Sequence, residues 1–479
     1  MKYKLMDKEE YRKLAAQILD YYNMAVTEFI KAVNGTKQMD YRYSDGIPDI
    51  MPAYAHDVAN YFARYGGGNY QIQFILNFNG KLDFEKLVKA VRLSLDEEPV
   101  FGCRLVPENP PYWKRLENID NVQFCTYEET DSPDQAVDDF LQSPMDMDND
   151  PMVMVKLIRT QEKDILGIKI NHACCDGAGA KEYLGLLERI YSTLEKEGDY
   201  KPVPRVRDRK DHYRALKTLG IKYPVLDMSI VEYPMTVWPF YWKGRWRKDI
   251  TPFVSVSLPQ GRLDTLLKFA RERNVTVNDL ILTAFYRSMF RVTNAPYGIP
   301  MYMGVTLDLR RYLPENKADA IRNFSGGIVI NIPRIHGEAF EDTLKRISFI
   351  MKARKKMKPG YQIITGAEKA ELLNICCMLS MMKFQSAMAE LMQNGYNFCL
   401  PGLSNVGYIS KSPIIFGGVE APEAYIYPPV VRPPAMLLVA SSYNGVLSFA
   451  MGYYKGAVKE QLIRRILDGI KDELMCVGA

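Results

Sequence analysis

The sequence predicts an α+β protein built from two halves of similar style. Strand-length apolar runs and helices with one apolar stripe follow one another irregularly, unlike the strict alternation of a doubly wound sheet. The same mixture recurs after a charged, proline-bearing connector. The 479 residues suffice for two to three domains or for one fold made of two halves.

The elements follow in order. Tyr11, Leu14, Ile18, Tyr22, Ala25, Phe29 and Val33 form a helical stripe over 8–33. Such a helix packs on the body or joins two copies as a homo-oligomer. A membrane-interface helix is the alternative, and the stripe lacks the Lys/Arg-rich face expected of one. Residues 34–49 read as a linker, which makes 1–50 an N-terminal extension. A first lobe is expected over 51–200. It contains a short helix within 51–65, a buried strand over 70–78 and an Asn79-Gly80 turn. Asp83 caps a helix over 84–97 whose inward stripe is Leu87, Val91 and Leu95. Pro99 ends that helix. Strands over 101–106 and 122–127, an acidic helix over 132–142 and strands over 152–159 and 164–171 follow. The last two pair across a short charged turn, and a helix over 180–194 comes next.

Residues 201–250 read as the connector between halves. Trp238, Trp242 and Trp246 recur there every four residues; they pack the connector onto the body or line a groove. The second lobe is expected over 251–479. It opens with a strand over 253–258 and a helix over 262–274. Thr276 then caps a helix over 277–290 with Asn278 and Asp279 in its first turn. Strands over 302–307 and 328–332, helices over 338–356 and 367–393, and a glycine-punctuated strand over 400–409 continue it. A hairpin turns at Asn444-Gly445 and a helix over 459–475 closes the series.

Composition narrows the class. Hydrophobic content of 47% and charged content of 25% are those of an ordinary globular protein, and a net charge of +5 is too small to argue for nucleic acid. The eight cysteines include the adjacent pairs Cys174-Cys175 and Cys376-Cys377, without disulfide or zinc-ribbon spacing, so reduced thiols in a cytoplasmic protein are expected. The N-terminus is too charged for a signal peptide, and no apolar run reaches transmembrane length.

The chemistry concentrates in LGIKINHACCDGAGA, residues 166–180. A strand delivers His172 to a turn, Asp176 and Gly177 follow, and a helical pattern begins. A neutral imidazole at the end of a strand is suited to act as a general base. A metal site from His172, Cys174, Cys175 and Asp176 is disfavoured because adjacent cysteines point apart, and His56, His212 and His336 lie in other contexts. A cysteine nucleophile would have no base other than His172.

Five segments together resemble the chloramphenicol acetyltransferase-like superfamily, which includes condensation domains, alcohol acetyltransferases and BAHD-type acyltransferases. They are FNGKLDFEKLVKAVRLSLDEEPVFGCRL, the His-x-x-x-Asp-Gly of NHACCDG, VTVNDLILTAFYRSM, DLRRYLP with NFSGG, and LSNVG, in that order from about residue 51 to near the C-terminus. Arg322 stands where the family has glycine. The resemblance implies two similar lobes, a pseudo-dimer, with a channel between them. Thioester donor and acceptor would reach a histidine midway along it, His172. It implies a structural role for Asp176, paired with Arg310 or Arg311, and for Gly177, which would allow a close turn or positive φ. Condensation domains usually carry a second histidine before the base. Here that position is Asn171, which shifts the reading toward stand-alone acyltransferases. Asn171, Ser404 and Asn405 are the candidates for the oxyanion or the channel wall, with structural hydrogen bonding as the alternative role.

The expected activity is acyl transfer from coenzyme A or a carrier-protein thioester to a small-molecule hydroxyl or amine. No permanently bound cofactor, metal or nucleic acid is expected, and acyl-CoA or acyl-phosphopantetheine serves as donor substrate. Two other readings stand beside it: an amide-forming condensation enzyme acting in trans on carrier proteins, and a non-catalytic binding module of the same fold. The absence of an appended carrier segment weakens the former, and the intact His172 and Asp176 weaken the latter. The basic run of Lys243, Arg245, Trp246, Arg247 and Lys248 would dock an acidic carrier protein or coenzyme A phosphates, or is a solvated face.

Overall fold

A computed structural model describes residues 46–66, 68–108, 110–205, 215, 217–220, 236–244, 246–247, 249–356 and 397–478. The helices expected over 8–33 and 367–393, nearly all of the linker, His212 and Cys376-Cys377 lie outside the described residues.

Helix α1 (Ala55–Gly66) leads into strand β1 (Gln71–Asn77), whose residues are buried up to its last position. Helix α2 (Phe84–Glu97) begins where Asp83 accepts the Lys86 amide, and it buries Leu87, Ala90, Val91 and Leu95. Each such side chain contributes about 1.5–3 kcal/mol when removed from water. After α2 come β2 (Cys125–Glu129), α3 (Pro133–Gln142), β3 (Val153–Arg159) and β4 (Asp164–Asn171). Every residue of β4 is buried, so both faces of this strand are covered. Helix α4 (Gly177–Glu197) begins directly after Asp176, three residues before the sequence pattern places it.

The second lobe contains β5 (Phe253–Ser257), α5 (Arg262–Glu272), α6 (Val277–Val292), β6 (Pro300–Asp308), β7 (Ser325–Pro333), α7 (Phe340–Lys356) and β8 (Phe398–Tyr408). Thr276 and Asp279 form a reciprocal capping box on α6. Then come β9 (Glu423–Tyr427), β10 (Ala435–Tyr443), β11 (Val446–Gly452) and α8 (Glu460–Met475). Asn444 and Gly445 both take positive φ, 45° and 77°, as a two-residue hairpin between β10 and β11 requires.

The first-lobe sheet has the order β9-β1-β4-β3-β2 and the second-lobe sheet β5-β11-β10-β8-β6-β7. Strand β9 comes late in the chain yet sits on the first-lobe sheet, pairing Tyr425 with Ile75. Sequence reading assigned nothing there, nor to short strands at Ile50–Pro52 and Tyr112–Arg115. One core gathers around Phe74, Ile168, Ile170 and Tyr183, the other around Phe285, Leu403, Phe449 and Ile466. The tryptophans belong to the connector's packing. Trp238 and Trp242 are buried in the second core, Trp242 donates to the Phe398 carbonyl at 3.0 Å, and Trp246 packs against the same core.

Candidate functional site

His172 stands one residue beyond β4, where the two lobes meet. Its main-chain N–H donates to the Tyr70 carbonyl at 2.9 Å, which extends the pairing of β4 with the strand beside it. The ring lies 5.9 Å from the Tyr70 ring and borders a cavity of about 190 Å³. Its lining includes the apolar side chains of Ile72, Val406, Ile426, Leu437 and Val439. It also includes the polar Lys181, Thr306, Asp308, Ser325, Ser404 and Asn405. Burial lowers the His172 pKa from its ordinary value. A hydrogen bond to its own main chain, Asp176 and Asn323 only partly oppose that, so the ring is neutral near pH 7.

Asp176 is held by the protein around it. Its Oδ1 accepts from the Gly179 amide at 2.9 Å, capping α4, and its Oδ2 accepts from the Phe324 amide at 2.7 Å. Arg310 Nη1 donates to both oxygens, at 3.1 and 2.9 Å, and Arg310 Nη2 donates to the Arg322 carbonyl at 2.8 Å. Burial works to raise the Asp176 pKa, but the Arg310 charge and the two amides override it and hold the carboxyl below its ordinary range. Arg311, the other arginine considered, is exposed and lies over the Tyr312 ring instead.

Gly177 has no positive φ; it is the first residue of α4. What it supplies is space, because a Cβ there would come within 3.1 Å of Val406 Cγ1 on the cavity wall. Lys181, one turn on, donates to the carbonyls of Val406 at 2.5 Å and Tyr408 at 3.1 Å, so α4 grips β8 across the lobe boundary. It does so where the β8–β10 register slips between Asn405 and Gly407.

The three oxyanion or channel candidates separate. Asn171 is buried away from the cavity lining, and its Oδ1 accepts from the Ala173 amide at 2.9 Å, a local turn bond. Ser404 and Asn405 do line the cavity. Ser404 Oγ accepts from Thr306 Oγ1 at 3.1 Å, whereas the Asn405 amide is taken by Asn278 at 3.2 Å and the Gly407 N–H at 3.0 Å.

Sequence reasoning passed over two residues. Asn323 is buried beside His172, with its Oδ1 3.1 Å from Nδ1 of the ring. His56 is not in an unrelated context, because its ring meets Phe324 edge-on at 6.2 Å between centroids, beside the Asp176 pair. Asn323 lies inside the NFSGG segment, but only the fold brings it to His172. His56 carries no signal at that range. His336 packs on Tyr297.

Among the described residues, no group of three or more His, Cys, Asp or Glu is arranged to hold a metal ion. Cys103, Cys125, Cys174, Cys175 and Cys399 are buried, and Cys476 is exposed. No described helix is long and apolar enough to cross a membrane. In the basic run Arg247 pairs with Asp249 at 2.5 Å, and Arg245 and Lys248 lie outside the described residues.

Residues 65–217 match the family model of the condensation domain. No curated protein sequence gives a significant match. Among solved structures the chain is similar to polyketide synthase associated protein 5 from Mycobacterium tuberculosis. The TM-score is 0.61 at 16% identity, over 91% of this chain and 99% of that one. It is similar to the first condensation domain of the CDA synthetase, with TM-score 0.61 and 14% identity over 90% and 97%. It is also similar to TRI3 trichothecene 15-O-acetyltransferase from Fusarium sporotrichioides, with TM-score 0.62 and 12% identity over 91% and 98%. The family model matches about a third of the chain and the shared architecture runs across nearly all of it, so the protein has a fold like that of condensation domains.

Proposed function

We propose that this protein is an acyltransferase that moves an acyl group from a coenzyme A or carrier-protein thioester to a hydroxyl or amine, with His172 as general base. The observation that carries the reading is a neutral imidazole on the wall of a cavity at the junction of the lobes. In the reaction, His172 takes the proton of the acceptor as its oxygen or nitrogen attacks the thioester carbonyl. The tetrahedral adduct collapses with cleavage of the C–S bond, and the imidazolium returns the proton to the departing thiolate. Ser404 accepts from Thr306, so its own hydroxyl hydrogen is left to meet the developing oxyanion. The apolar lining residues suit an acyl chain and the polar ones an acceptor bearing hydroxyls or an amine.

The family match over residues 65–217 favours a second reading, an amide-forming enzyme that takes its donor from a carrier protein. Mass spectrometry separates the two. The protein is incubated with a panel of acyl-CoA donors, then with acyl-phosphopantetheine on a carrier protein, each with mixed alcohols and amines. Transfer from acyl-CoA supports the first reading, and amide formation from the carrier alone supports the second. The His172→Ala variant should lose transfer by roughly 10²–10⁴-fold while keeping its fold. Unchanged turnover in that variant removes His172 from the mechanism.

A further inference from the structure

We propose, resting on the acyl-transfer reading above, that Asp308 is a specificity-determining residue that binds a cationic group of the acceptor. The acceptor is then an amino-bearing molecule rather than a plain alcohol. Strand β6 ends at Asp308, whose side chain lines the same cavity as His172 and is 53% exposed. Its Oδ1 is turned to the protein, where it accepts from the main-chain N–H of Arg310 at 2.9 Å and lies 3.3 Å from Arg310 Nη1. Among the described residues nothing donates to Oδ2.

The other charged groups on this lining are already engaged. Asp176 is bonded to Arg310 and to two main-chain amides. Lys181 Nζ donates to the Val406 and Tyr408 carbonyls, and His172 is neutral near pH 7. Among the described lining residues, Asp308 therefore offers a ligand the one charged atom without a protein partner, and that charge is negative. An ammonium is its complement, because a hydrogen bond between charged partners is stronger than one between neutral groups. The nitrogen held there cannot be the nucleophile. Pairing with a carboxylate favours the protonated amine, which has no lone pair with which to attack a thioester. The acceptor must carry this cation apart from the hydroxyl or second amine that His172 deprotonates. Asp308 anchors and His172 activates.

Asp308 also caps the 3-10 turn Leu309–Tyr312. A cap affects every acceptor alike, so selectivity separates the two roles. Amino alcohols of graded chain length are compared with the alkanols in which a methyl group replaces the ammonium, on the full chain near pH 7. Titration calorimetry reads binding without turnover, and transfer from one acyl thioester reads kcat/KM. Wild type should favour the ammonium member of at least one pair by roughly 10- to 100-fold, and by less at high salt. Equal treatment of every pair would overturn the proposal whether or not any variant folds. Asp308→Asn keeps an oxygen for the cap and presents NH2 where Oδ2 stood, so the preference should disappear. Asp308→Glu keeps the charge and should retain the preference at a shifted chain length. A weakening of both members of each pair in Asp308→Asn, with their ratio intact, would reduce Asp308 to its capping role. Ammonium-selective binding that depends on Asp308, combined with full transfer by His172→Ala, would leave the anchor standing and remove the general-base reading.

Discussion

Asp176 accepts hydrogen bonds at both oxygens from Arg310, Gly179 and Phe324, which uses up its lone pairs. A carboxylate so occupied carries no proton to or from substrate. Its replacement by Asn should act through stability, because Arg310, only 3% exposed, would lose its shortest ion pair and keep only the longer ones to Asp308 and Glu182. Urea unfolding should register a loss on the order of 3 kcal/mol, with activity falling as the amide beside His172 loosens. Lost activity at full stability would instead make Asp176 a participant in the chemistry. Much of this neighbourhood was legible in the sequence: His172 after a strand, Asp176 as its support, and an arginine in DLRRYLP as partner. Sequence could not choose between Arg310 and Arg311, because adjacent residues in a short 3-10 turn point to opposite sides and only the fold shows which is inward. Nor could it see Asn323, whose role depends on contacts across 150 residues or more of chain.

At the scale of elements, boundaries marked by side-chain chemistry were readable. Asp83 and Thr276 begin their helices where capping rules put them. The start of α4 lies earlier than the pattern places it because Gly177, Ala178 and Gly179 add no apolar periodicity, and the cap bond from Asp176 outweighs the weak propensity of the two glycines. Residues 410–434 stayed blank because their strands are short and interrupted by Gly417, Gly418 and Pro422. Lys169 is a different kind of surprise, a lysine buried in the middle of β4. Its ammonium donates to the Phe140 and Ser143 carbonyls, both at 2.6 Å, and to Ser143 Oγ at 2.8 Å, so it closes the C-terminal end of α3. Burial pushes its pKa down to about 7. The neighbouring Gly167 lets Phe140 lie on the strand, for a Cβ there would be 2.6 Å from the ring. Lys169→Met should cost about 1–3 kcal/mol in a denaturant titration, since each of those carbonyls loses its charged donor and keeps only a weaker one, Gln71 on Ser143 and Ser143 Oγ on Phe140. An unchanged midpoint would mean that α3 holds its end without the lysine.

Across the whole molecule, first-lobe and second-lobe groups meet in a seam whose stability should depend on pH. His56 on α1 packs against Phe324 from the second lobe. Burial first, and the Arg322 charge second, push its pKa down to about 4. The unfolded chain, with histidine near 6.5, takes up a proton that the folded chain refuses between those two values. Stability should therefore be complete above about pH 6.5, fall as the pH drops toward 4, and level off below. The expected loss is up to roughly 3 kcal/mol. His172, lowered as well, adds with the same sign. Urea unfolding of wild type and His56→Leu over that range checks this. The variant should show the shallower slope, and equal slopes would assign the acid sensitivity elsewhere.

The placement of Glu423–Tyr427 on the edge of the first sheet fixes an order of events during synthesis. Residues 71–171 can leave the ribosome and pair among themselves, but the outer edge of the apolar strand Gln71–Asn77 has no partner until more than 340 further residues have been made. Through that interval the nascent chain presents an open strand edge, the surface on which like strands from other chains add. Closure waits until residues 423–427 emerge, when one short segment seals the first half and joins it to the second. A pause, truncation or cleavage before residue 423 therefore leaves a half-molecule with a sticky edge rather than a smaller stable protein.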